Sequence, residues 1–163
     1  MAFTGNALCT SFKVEILGAT HNFTSTNVAR TVNTPDTFKI ALYTNSASFT
    51  AATTAYTATN EVAPGAPYSA GGATLTISSA PNSAQGSGGG GGSATLTTAW
   101  LDFTDTVWSA ITMTARGAMI YNFSQSNKAV AILDFGSDKT STAGDFTIQY
   151  PAPNNQEAII RIA

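Results

Sequence analysis

Histidine and cysteine occur once each in this chain, as His21 and Cys9. That scarcity excludes a good deal of chemistry. One thiol makes no internal disulfide, so the chain is not a small secreted scaffold held by bridges. Zinc needs further His or Cys ligands that the sequence does not supply. Any Ser-His-Asp or Cys-His arrangement has to use His21, and its surroundings, Ala19-Thr20-His21-Asn22-Phe23, carry no nucleophile motif. A histidine just after a helix end is expected to pack or to cap nearby carbonyls. Charge is scarce as well: charged residues are 10% of the chain, against roughly 25% in ordinary soluble domains. Seven basic and nine acidic residues leave a net charge of −2, which offers no field for phosphate backbones, and nucleic acid is not an expected partner. No apolar run approaches the ~20 residues of a membrane span. The opening Thr4-Gly5-Asn6-Ala7-Leu8-Cys9 reads as neither signal peptide nor lipoprotein anchor, so the expectation is a soluble chain made in the cytoplasm, with no membrane partner.

What is present is a 163-residue chain, 43% apolar, whose length at ~100–200 residues per domain indicates one domain over 1–163. Ser, Thr, Ala, Asn and Gly cover a surface that Lys and Glu normally cover. Residues 10–18 place Phe12 and Ile16 four apart, with a hydroxyl residue before and Gly18 after, which predicts one short helix behind an extended arm over 1–10. From Thr37 the period becomes two. Phe38, Ile40 and Leu42 alternate with Lys39, Ala41 and Tyr43 as a half-buried strand. Residues 45–72 are irregular, with at most a turn or two of helix around 53–56. A loop of that length either serves a partner or packs on itself, pinned by Tyr56 and Tyr68. Strand signals then recur at 73–78, 95–103, 108–113, 118–123, 129–135, 146–150 and 158–162, with Arg116-Gly117 as a bend. Residues 129–133 are apolar on both faces and belong to a central strand. About eight closely spaced strands with almost no helical period predict an all-β fold, an antiparallel β-sandwich.

Residues 85–93 have the composition of a flexible linker. Their formal G-x-G-x-x-G precedes no helix and lacks the Lys-Ser/Thr of a phosphate loop, so no nucleotide or other cofactor is expected there. Asp102 with Asp105, and Asp134 with Asp138, are spaced to share a hard cation or to act as acid and base, but such residues at strand ends more often form Asx-turns. No catalytic set, metal site or cofactor site follows. Asn22-Phe23-Thr24 and Asn122-Phe123-Ser124 match the glycosylation sequon. A polar, weakly charged β domain points to a role carried by its surface, because interface cores are depleted of charge.

Two stretches carry a resemblance. The opening Met1-Ala2-Phe3-Thr4-Gly5-Asn6-Ala7-Leu8-Cys9-Thr10-Ser11-Phe12-Lys13, leading to Phe38-Lys39-Ile40-Ala41-Leu42-Tyr43, resembles the start of small virion proteins of tailed bacteriophages. Ala115-Arg116-Gly117-Ala118-Met119-Ile120-Tyr121-Asn122, the Leu133-Asp134-Phe135-Gly136 that closes the next strand, Gly144-Asp145-Phe146-Thr147-Ile148-Gln149-Tyr150 and Thr57-Ala58-Thr59-Asn60-Glu61-Val62 are similar to the same group. The polyglycine departs from it, since a shorter turn is expected there. The resemblance implies a β-rich, non-enzymatic virion protein on the capsid exterior, a decoration or cement protein that bridges major capsid subunits as a homotrimer. Its candidate assembly contacts are Ala2, Phe3, Thr4, Asn6 and Leu8 of the arm, Tyr56, Glu61 and Tyr68 of the irregular segment, and Arg116. A tail, baseplate or head-fibre component is the structural alternative. A carbohydrate-binding β-sandwich, stacking Trp100, Trp108, Tyr56 or Tyr68 on sugar rings, is the alternative of another class.

Overall fold

The computed structural model describes residues 3–24, 34–82 and 98–163. In chain order its elements are β1 (Ala7–Leu8), α1 (Thr10–Leu17), β2 (Phe38–Tyr43), β3 (Ala73–Thr74), β4 (Ile77–Asn82), β5 (Ala99–Phe103), β6 (Thr106–Asn122), β7 (Lys128–Ile148) and β8 (Ile160–Ile162). The protein is all-β with antiparallel sheets, and α1 is the one helix among the described residues. Contacts divide the chain into two units. The first holds the described parts of Met1–His21, Asp36–Thr74 and Val107–Thr147, and the second those of Asn22–Pro35, Leu75–Thr106 and Ile148–Ala163.

The sheet of the first unit has the order β1-β7-β6-β2-β3. β2 runs antiparallel to β6 from Phe38 opposite Asn122 to Tyr43 opposite Gly117. Two expected strands merge into β6, because Arg116-Gly117 is no bend: Gly117 pairs in mid-strand. A glycine is needed there for another reason. A Cβ would lie 2.5 Å from the Leu133 carbonyl oxygen and 2.6 Å from the Phe3 ring. β7 likewise joins two expected strands, absorbing Gly136 (φ 76°) and Ala143 (φ 49°) in left-handed conformations along its length.

Both faces of the central strands are covered. On one face Phe12 of α1 packs 4.9 Å from His21, which lies 6.4 Å from Phe38. On the other, Tyr43 meets Phe49 edge-on at 4.6 Å and Tyr121 stacks on Tyr56 at 4.7 Å. Residues 129–133 are therefore buried throughout, as their composition indicates. β2, expected to be half-buried, keeps only Lys39 from full burial. The irregular segment covers Ala41 and Tyr43, which the alternating pattern assigned to solvent. No helix forms at 53–56. Ala55 instead bridges Lys128, with Tyr56 N–H donating to Asn127 and Ala129 N–H to Thr54, because the outer edge of β7 needs partners.

Ala2 lies outside the described residues, but Phe3 to Leu8 are tied down. The Phe3 ring, 9% exposed, fills the slot that Gly117 leaves and meets Phe49 at 5.7 Å. Gly5 N–H donates to Asp134 Oδ2 at 3.2 Å, Asn6 Oδ1 accepts the Asp134 N–H at 2.6 Å, and Ala7 and Leu8 pair with Ile132 and Ala131. An extended chain with few apolar side chains is ordered here by an unpaired strand edge, which its own pattern does not reveal.

The second unit carries the three-stranded sheet β4-β5-β8. Ile77 stands opposite Phe103 and Leu101 opposite Ile160, and Trp100, Leu101, Phe103 and Ile160 are buried. β5 begins at Ala99, so residues 95–97 of the expected strand and the polyglycine at 85–93 lie outside the described residues.

Candidate functional site

Glu61 organises the long irregular segment. Its Oε2 accepts the Tyr56 hydroxyl at 2.6 Å, and its Oε1 accepts the Tyr68 hydroxyl and the Gly71 N–H, both at 2.7 Å. Each donor is then tied to the sheet. Tyr68 Oη accepts the Leu42 N–H at 2.9 Å, and the Tyr121 hydroxyl donates to the Gly71 carbonyl at 2.8 Å. Gly72, at φ +72°, lets the chain close on β2, since a Cβ there would sit 1.8 Å from the Ile40 carbonyl oxygen. Burial pushes the Tyr121 phenol up to about 12, and burial together with Glu61 raises Tyr43, Tyr56 and Tyr68, so all four stay protonated as donors. Of the two accounts of this segment, the self-packed one pinned by Tyr56 and Tyr68 is what the chain adopts. Tyr68 is buried, and Tyr56 and Glu61 spend their polar atoms internally.

His21 sits in a second network. Asn122 Oδ1 accepts the Gln125 N–H, which turns Asn122 Nδ2 toward His21 Nδ1 (2.9 Å) and Asp36 Oδ2 (2.8 Å). Nδ1 is therefore the acceptor, and Nε2–H donates to Glu15 Oε2 at 2.8 Å. Lys128 Nζ holds the other Glu15 oxygen at 2.6 Å. Burial lowers the His21 pKa against the pull of Glu15, which leaves a neutral ring. Burial raises Glu15, but its bonds to Lys128 and His21 outweigh that and bring its carboxyl below the ordinary value. Cys9 is fully buried, and burial followed by the Glu15 charge pushes its thiol up to about 11. A protonated, enclosed thiol is not a nucleophile. The imidazole joins α1 to β6 through Asn122, 101 residues away in the chain.

The remaining candidates separate. Arg116 forms an ion pair with Asp134 and lies 5.9 Å over the Phe3 ring, and with the Gly136 and Gly5 N–H groups it holds the Asp134 carboxyl below its usual range. Asp134 is thus a brace for the arm, while Asp138 accepts an Asn45 amide at 3.2 Å on the surface. Thr4 is exposed and Leu8 half-buried. Trp100, Trp108 and Tyr68 are buried, and the half-buried Tyr56 stacks on Tyr121 through one face of its ring. Asn22 and Asn122, the sequon asparagines, are 1% and 0% exposed. Among the described residues, no group of three His, Cys, Asp or Glu side chains converges.

No family model, curated protein or solved structure matches this chain significantly. The functional reading therefore rests on its own residues. Among the side chains they leave outward are many on the β6–β7 hairpin. Val107, Ser109, Thr112 and Thr114 on β6, and residues 136–140, Thr142 and Thr147 on β7, are exposed. Thr114 and Thr140 share a hydroxyl bond at 2.8 Å, and the Thr112 hydroxyl accepts the Ala143 N–H at 2.9 Å.

Proposed function

We propose that the chain is a non-enzymatic structural component of a tailed-phage virion, a decoration protein that binds the capsid exterior and bridges major capsid subunits as a trimer. The observation that carries this reading is the exposed, hydroxyl-rich surface of the β6–β7 hairpin. Its residues run Ser109, Thr112 and Thr114 beside Ser137, Thr140, Thr142 and Thr147, with Asp138, Lys139 and Asp145 as the nearby charges. Covering such a surface desolvates few ions, and many modest contacts repeated in a lattice supply avidity without a dominant charge pair. The single histidine and the single thiol add support, since His21 and Cys9 are committed to the interior. The contact surface proposed on this ground is the hairpin, beside the arm and the Glu61 segment that the resemblance implies.

The test is imaging of purified particles, with the copy number of the chain measured against capsid symmetry. Ser109→Lys and Thr142→Lys place cations on the exposed surface, and are expected to abolish particle occupancy while leaving the circular dichroism spectrum unchanged. Density on the tail alone would transfer the protein to the tail or fibre reading. Absence from the virion would refute the structural one.

A further inference from the structure

The second half of α1 buries little. Phe12 is enclosed, but Val14 and Leu17 are 66% and 89% exposed and Ile16 is half-buried. The start of the helix is tied by backbone bonds: the Cys9 N–H donates to the Val130 carbonyl at 2.9 Å and the Thr10 N–H to that of Ala51 at 2.7 Å. Further along, the joints are polar side chains. Glu15 accepts Lys128 Nζ of β7 on one oxygen and His21 Nε2–H on the other, and Asn122 Nδ2 of β6 donates to His21 Nδ1. An eight-residue helix does not hold its shape alone, so the docking of this half leans on those joints.

The last joint works in one protonation state. Asn122 cannot turn its amide over, because Oδ1 accepts the Gln125 N–H at 3.1 Å and Nδ2 donates to Asp36 Oδ2 at 2.8 Å. Its nitrogen therefore faces Nδ1 at 2.9 Å, and Nδ1 has to accept. A proton on Nδ1 would set N–H against N–H where the His21 side chain and Asn122 are both 0% exposed. Among the described residues, the charges around the ring do not make up for this. Glu15 on α1 already shares its charge with Lys128 on β7, and Asp36, ahead of β2, spends Oδ2 on Asn122 and Oδ1 on the Gln125 amide; β2 contributes Phe38. Burial outweighs the pull of Glu15 and Asp36, with Lys128 adding to it, and keeps the ring below the ordinary histidine value of 6.5. We propose that His21 and Asn122 form an acid-operated latch on α1: uptake of one proton at Nδ1 breaks the Asn122 bond and frees the helix, while the arm stays on the β7 edge. The arm's own bonds, from Gly5 and Asn6 to Asp134 and from Ala7 and Leu8 to β7, do not pass through His21.

Nuclear magnetic resonance of the full chain tests this, and with one histidine the ring signals are unambiguous. At pH 7.5 the neutral Nε2–H tautomer is expected. The open form takes up its proton near 6.5 and the closed form lower, so opening of α1 should grow by up to about tenfold between pH 7.5 and pH 5.5. Glu15, held below 4.5, stays charged across that range. The readout is amide protection, corrected for the intrinsic exchange rate at each pH, at Lys13, Gly18, Ala19 and Thr20, whose N–H groups bond within α1 and its end. Those four should lose protection on acidification while Ala7 and Leu8 on the arm and Met119 and Ile120 on β6 keep theirs. His21→Gln should remove the pH dependence, with circular dichroism checking that it folds. Asn122→Asp combined with Asp36→Asn moves the carboxylate beside Nδ1 at constant net charge, and should raise the His21 titration above 6.5 and cancel the acid loss at α1. An Nδ1–H tautomer at pH 7.5, α1 protection unchanged at pH 5.5, or a folded double variant that still opens on acidification would each overturn the latch. A loss shared equally by Ala7, Met119 and Ile120 would overturn it too, and make His21 a group of general stability.

Discussion

Glu61→Ala removes the acceptor from three donors at once, the hydroxyls of Tyr56 and Tyr68 and the Gly71 N–H. They do not weigh alike. Tyr56 is half-buried and its hydroxyl can turn to water, whereas Tyr68 is 2% exposed and Gly71 is buried, so those two donors stay enclosed. An orphaned buried donor costs about 1–3 kcal/mol, and two of them set the expected loss at about 2–6 kcal/mol. That is a large share of the ~5–15 kcal/mol by which a domain is stable. Glu61→Gln should fall between, about 1–2 kcal/mol, since its amide oxygen still accepts while its amide nitrogen cannot. Urea unfolding followed by Trp108 fluorescence reads this unit, because the Trp108 ring lies 5.6 Å from Tyr68. A Trp100→Phe background removes the other indole. A Glu61→Ala loss below ~0.5 kcal/mol, the size of an ordinary surface substitution, would refute the view that this carboxylate pins the segment.

Gly117→Ala should cost about 1–3 kcal/mol, because the Leu133 carbonyl in the way is backbone and cannot swing aside. Hydrogen exchange at Ala7 and Leu8 should speed up as Phe3 is displaced, and unchanged protection would count against the slot. Stability should fall as pH drops below the usual histidine value of 6.5, because His21 is depressed in the fold and the unfolded chain takes up the proton first. Glu15 and Asp134, also depressed, add to the loss below their ordinary values of 4.5 and 3.8. His21→Gln should flatten the upper part of a Tm-against-pH curve, and a wild-type curve flat from pH 7 to 5 would contradict this. The Cys9 thiol, buried and pushed up to about 11, should react with a disulfide reagent at pH 8 only as the chain unfolds. Labelling at the rate of a free thiol in the native state would show that the thiol is not enclosed.

The sequence by itself determined the class of fold and the position of α1. Period-two alternation and the Phe12–Ile16 spacing are local signals, and α1 ends at Leu17 before Gly18 as that spacing indicates. The run at 129–133 announced its own double burial for the same reason, since its composition needs no knowledge of what covers it. Local pattern has no means of distinguishing a glycine that turns the chain from one that receives a neighbour. Gly117 therefore read as a bend, and only Phe3 and the Leu133 carbonyl, brought from distant parts of the chain, explain it as a slot. The arm and the 45–72 segment are alike in this respect. Both lack apolar periodicity and are ordered by partners far away in sequence: the β7 edge and the Asp134 carboxyl for the arm, and the Leu42 N–H and the Tyr121 ring for the segment. His21 and Asn122 carry no mark of one another in the sequence. Tertiary packing decides which polar groups meet and which are left with an open valence, because burial and partner geometry are properties of the folded neighbourhood and not of the residue.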